Sequence, residues 1–68
     1  MAPNPRQLGM RIKALREARG MSQAALAQHA RISRRYLIRL ERGGSDPTVG
    51  VVRRLAKALG VTLMELLG

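Results

Sequence analysis

A chain of 68 residues holds one domain at most. It has no cysteine, which excludes a disulfide or a thiolate zinc site, and its one histidine, His29, cannot hold a metal alone. Thirteen Lys and Arg against four Asp and Glu give a net charge of +9, which favours nucleic acid or another anionic surface as partner.

The first helix is announced by "NPRQ": Asn4 suits the N-cap, Pro5 the first helical position and Gln7 the return arm of a capping box. Leu8, Ile12 and Leu15 follow at helical spacing, and Gly20 ends the helix. Ser22 caps a second helix whose inner face is Leu26 with the alanines. Ser33 caps a third, which ends at Gly43, and "GGSDPT" is a loop by composition. Thr48 caps a fourth helix with Val51, Val52, Leu55 and Leu59 inward, and Gly60 stops it. Thr62 and Glu65 form a capping box for a short fifth. Period-2 alternation is missing, so the fold class is all-α, a compact five-helix domain over residues 5–68 behind an arm at 1–4.

A hydrophobic content of 46% describes a folded domain rather than a basic tail. No apolar run approaches the roughly 18 residues of a membrane span. "MAPNPRQLGMRIK" lacks the apolar stretch of a secretory signal, so a cytoplasmic place is expected, with no membrane, metal or cofactor.

The third helix carries the chemistry. Arg34, Arg35, Ile38, Arg39 and Arg42 share one face by their spacing, and Tyr36, Leu37 and Leu40 the opposite one. A basic face is often only a solvated face. Here it lacks interleaved acids, since Glu41 leans to the other side, and Ile38 stands among the arginines, where it can meet a thymine methyl in a major groove. Arginine's planar fork suits phosphates and guanine edges. Two glycines in the stretch Arg42, Gly43, Gly44 and Ser45 either let the backbone approach a phosphate or form a plain connector. Ser33 can both cap its helix and meet a phosphate, and Tyr36 can bring its hydroxyl to one.

"SQAALAQHARISRRYLIRL" is thus a capped helix, a short turn and a second capped helix with a basic outer face, the layout of a helix-turn-helix. With "LGMRIKALREARGMSQAALA", "ISRRYLIRLERG", "DPTVGVVRRLAKALGV" and "LMELL" in that order, the chain resembles the Cro and phage-repressor-like, or lambda-repressor-like, helix-turn-helix domains from about Gln7 to Leu67. The resemblance implies a transcription regulator that binds double-stranded DNA, commonly as a homodimer. It implies base contacts at Arg34 and Arg35, then Ile38 and Arg39, and a phosphate contact at Gln23, beside the capping Ser22. It also matches Arg16 and Glu41 to a pair joining the first helix to the end of the third, with Arg16 in reach of a phosphate. Relatives usually carry glycine where this chain has Arg31; either the turn differs or strain is accepted for another phosphate contact. Val61, Met64 and Leu67 supply either a dimer patch or the last of the core.

The rivals are weaker. An enzyme lacks parts, since Glu17, Glu41, Asp46 and Glu65 show no pairing by spacing. A membrane-active cationic peptide would not need five capped helices. A helix-turn-helix used as a protein-interaction or RNA-binding adaptor would show affinity indifferent to DNA sequence. Arg11, Arg19, Arg53, Arg54 and Lys57 read as solvated charges and His29 as a surface histidine.

Overall fold

Each helix begins at a residue whose side chain accepts from the backbone N–H three positions on. In the computed structural model, which describes residues 3–68, these caps set five helices: α1 Pro5–Ala18, α2 Gln23–Ala30, α3 Arg34–Glu41, α4 Val49–Leu59 and α5 Leu63–Leu67. Among the described residues there is no strand. Met1 and Ala2 of the expected arm lie outside them.

Asn4 Oδ1 accepts from the Gln7 amide at 2.8 Å, and Gln7 returns the bond to the Asn4 amide at 3.1 Å. Ser22, Ser33, Thr48 and Thr62 cap α2 to α5 through their hydroxyls at 3.0 to 3.2 Å. Each such cap contributes about 1 kcal/mol. The reciprocal bond is made only in α1: at α5 Thr62 accepts from the Glu65 amide without the return arm expected of a capping box.

Four helices end in one motif. After α1, the Gly20 amide bonds to the Glu17 carbonyl at 3.0 Å and the Met21 amide to that of Arg16 at 3.1 Å. The same pair of backward bonds closes α2 at Arg31, α3 at Gly43 and α4 at Gly60. The motif needs a left-handed residue, which glycine supplies at three of the four ends. At the fourth, Arg31 takes φ 59, ψ 43. The turn therefore keeps its left-handed geometry and the strain is accepted, at a cost of roughly 1–2 kcal/mol.

The core gathers Leu8 and Ile12 of α1, Leu26, Ala27 and Ala30 of α2, Leu37 and Leu40 of α3, Val52, Leu55, Ala56 and Leu59 of α4, and Leu66 of α5. Leu15 and Val51, expected inward, pack partly buried against it. Each fully buried leucine or isoleucine contributes roughly 1.5–3 kcal/mol. α2 lies mainly against α4, and α1 against α3. The second contact is close because Gly9 has no side chain: a Cβ there would collide with the Leu40 carbonyl oxygen and stand 3.0 Å from that of Glu41. At the C-terminal end the alternatives divide. Val61 and Leu67 pack against the core, whereas Met64 is 78% exposed.

Candidate nucleic-acid interface

α3 is core on one side and charge on the other. Leu37 and Leu40 are buried, while Arg34, Arg35, Arg39 and Arg42 are exposed and Ile38 is half-buried among them. Tyr36, placed opposite the ridge, packs partly buried at the edge of the core. The Arg39 guanidinium lies 5.6 Å from its ring centroid, because residues three apart are neighbours on a helix. That contact braces Arg39 along the ridge.

A buried polar knot fixes how α3 is held. Arg16 Nε donates to Glu41 Oε2 at 2.6 Å and its Nη2 to Glu41 Oε1 at 3.0 Å, a two-pronged pair. Its Nη1 donates to the Met21 carbonyl at 2.9 Å, and Gln23 Nε2 donates to Glu41 Oε1 at 3.2 Å. One carboxylate thus ties α1, the first residue of α2 and the last of α3. The hydrogen bond to Glu41 raises the Arg16 pKa above its ordinary value, against the opposing effect of burial. Arg16, expected to reach a phosphate, has its donors engaged inside the protein. The residue is only 9% exposed and all three guanidinium nitrogens have partners inside the protein.

Around α3 lie the other expected contacts. Ser22 and Gln23 open α2, and Ser33 opens α3, so both helix starts present backbone amides. Gln23, Ile38 and Arg42 line one shallow cleft with Glu41 and Lys13. The sequence reading missed Lys13, although it lies three residues before Arg16 and so on the same face of α1. In the loop, Gly44 is exposed and Ser45 half-buried. Gly43 has a packing role: a Cβ there would stand 2.7 Å from the Arg6 Cα. Arg31 is not brought to this cleft. It opens onto another, with His29, Arg54, Lys57 and Ala58. Two arginines read as solvated are anchored instead, Arg54 Nε to the Ala30 carbonyl at 2.9 Å and Arg11 Nη1 to that of Leu66 at 3.5 Å.

The family model described as helix-turn-helix matches residues 12–66. The chain belongs to the helix-turn-helix family. Within that family it is similar to the immunity repressor protein of Bacillus phage phi105, 38% identical over 61 residues, which span 90% of this chain and 42% of the repressor. It is similar also to the transcriptional regulator RamB of Mycobacterium tuberculosis, 44% identical over 54 residues, 79% of this chain and 11% of RamB. The chain thus spans less than half the length of either relative. Among solved structures, the restriction-modification controller protein C.AhdI of Aeromonas hydrophila superposes with a TM-score of 0.89 at 34% identity, covering 91% of this chain and 94% of C.AhdI. The biofilm regulator SinR, in a crystal structure with DNA, superposes with a TM-score of 0.85 at 31% identity over 90% of this chain and 98% of SinR. The resemblance to phage-repressor-like domains and the five-helix fold are both borne out. No helix among the described residues is long and apolar enough to cross a membrane.

Proposed function

We propose that this chain binds double-stranded DNA sequence-specifically as a cytoplasmic transcription regulator, not an enzyme, with α3 in the major groove. The observation that carries the reading is the division of α3. Four arginines stand exposed on one face, and the single acid of that helix, Glu41, is turned inward and neutralised by Arg16. The likeness to SinR, whose structure includes DNA, supports it.

Arg34, Arg35 and Arg39 then meet base edges, guanine O6 and N7 above all, and Ile38 meets a thymine methyl. Ser22, Gln23, Ser33, Tyr36, Arg42, Gly43, Gly44 and Ser45 hold phosphates on either side, and Lys13 joins them. Residues 5–68 act as the DNA-binding unit behind a short arm at 1–4. A homodimer places two such units on half-sites about 10 base pairs apart, and exposed Met64, beside Val61 and Leu67, offers the apolar patch for it.

Selection of bound duplexes from a random pool, run on the wild type and on Arg34→Ala, Arg35→Ala and Arg39→Ala, tests the reading. The expected outcome is a motif with at least one guanine per half-site, whose preference relaxes in one of the variants. A pool that returns no motif favours an adaptor for protein or RNA. A motif whose guanines survive all three substitutions moves specificity to DNA shape. Affinity for the selected site should fall with salt. If about five to eight phosphates are neutralised, log K changes by roughly −0.9 per phosphate per log unit of salt, and a slope shallower than about −2 removes backbone contacts as the main term.

A further inference from the structure

A second basic cluster lies where α2 ends against α4. His29, Arg31, Arg54 and Lys57, with Ala58, line a cleft of about 500 Å³, and no acid among the described residues lines it. Its members come from the last turn of α2, the turn before α3, and α4. A helix C-terminus favours nearby cations. Arg54 meets that preference at the Ala30 carbonyl, and among the described residues its terminal nitrogens make no hydrogen bond. Arg31 and Lys57 are left over from that account. Arg54 and Lys57 are like charges three positions apart on one helix, a mildly unfavourable pair. Arg31 occupies a left-handed position that a glycine would take without strain. An anion between the cations relieves the like-charge crowding, and its contact with Arg31 offsets the strain held at that position.

We infer that this cleft binds a phosphate group, apart from the face that reads bases, with Arg31, Arg54 and Lys57 as its cationic contacts and His29 as a hydrogen-bonding partner. The group belongs either to a free phosphorylated small molecule or to a DNA backbone flanking the site on α3. Occupation by a multiply charged anion is favoured because three guanidinium or ammonium groups face one space.

The test follows backbone amide NMR shifts at physiological salt in two titrations, one with pyrophosphate and one with duplex DNA. The variants are Arg31→Gly, which relieves the left-handed strain and so keeps the fold, and Lys57→Gln. Arg53→Gln is the control, since it removes the same charge from an exposed α4 position outside the cleft. Saturable pyrophosphate shifts centred on residues 29–31 and 54–58, weakened about five-fold by Arg31→Gly and Lys57→Gln but not by the control, establish a site for a free phosphorylated ligand. No such shifts, together with a similar loss of DNA affinity beyond that of the control, assign the phosphate to the DNA backbone. If neither titration separates these two variants from Arg53→Gln, or if pyrophosphate shifts centre on the start of α3, the proposal is overturned. The pyrophosphate titration does not depend on the DNA-binding reading, so the two can fail separately.

Discussion

Arginine serves opposite ends on the outer face of α3 and in the buried knot behind it. On the outer face of α3, Arg34, Arg35 and Arg42 are exposed and, among the described residues, their side chains make no hydrogen bond, while the Arg39 guanidinium lies over a tyrosine ring. In the knot behind that helix, Arg16 is buried and every nitrogen is engaged. Burial with a partner makes a guanidinium a positioning device, whereas exposure without one leaves its donors for a ligand. An exposed pair contributes about 0–1 kcal/mol. A buried one is strongly missed when a single partner is removed, because the other is left uncompensated.

Glu41 holds the buried arginine in place. Glu41→Ala strands the Arg16 guanidinium and the Gln23 amide, and should cost about 3–5 kcal/mol, enough to unfold much of a domain this small. Thermal denaturation followed by circular dichroism reads the loss. The double variant Arg16→Met with Glu41→Leu should be more stable than Glu41→Ala alone; equal stability would mean that the stranded Arg16 charge is not what Glu41→Ala costs. The sign with pH is fixed by the raised Arg16 pKa. Its contribution is fully present below the ordinary arginine value and fades only as pH rises through the folded one, so a melt at pH 9 should match one at pH 7 in this respect.

The two faces of α3 give the next contrast. Leu37→Ala should lose roughly 2–5 kcal/mol of stability, since Leu37 is fully buried. Arg35→Ala should leave stability within about 0.5 kcal/mol and lose roughly 1–3 kcal/mol of discrimination at one base. Paired melts and gel shifts decide this, and equal destabilisation by the two variants would reverse the assigned faces.

How far this could be read from the sequence follows the range of the interactions. The five caps were legible because a cap is chemistry between residues three apart, and Asn4, Ser22, Ser33, Thr48 and Thr62 each sit before an apolar period. The faces of α3 were legible from its period, except that Tyr36 falls on the boundary, where a wheel cannot say which neighbour it will touch. Contacts between distant residues were not legible. Arg54 finds Ala30 across 24 positions, and nothing in the local pattern distinguishes it from Arg53 beside it. Gly9 reads as a flaw inside a helix until α3 is laid against it. The pairing of Arg16 with Glu41 came from a family likeness, and the burial of Arg16 came only with the fold.

The smallest effect expected concerns the turn. Arg31→Gly removes a left-handed strain of roughly 1–2 kcal/mol and gives back part of it through the greater freedom of glycine in the unfolded chain. A net gain of about 0.5–1 kcal/mol should appear as a higher melting temperature. No gain would mean that Arg31 already recovers its strain through contacts inside the protein.

The backward bonds that close α1, α2, α3 and α4 bear on how quickly the domain finds its structure. Each reaches only three to five residues along the chain, so every helix can begin and stop by itself before any distant contact forms. Chains organised this way have low contact order and fold in microseconds to milliseconds. The side chains of the exposed arginines take no part in those backbone bonds, so substitutions at Arg34, Arg35 or Arg39 should leave the relaxation rate after a temperature jump unchanged. The binding surface is in that sense kinetically silent: it can be rewritten for a different ligand while the folding route stays the same.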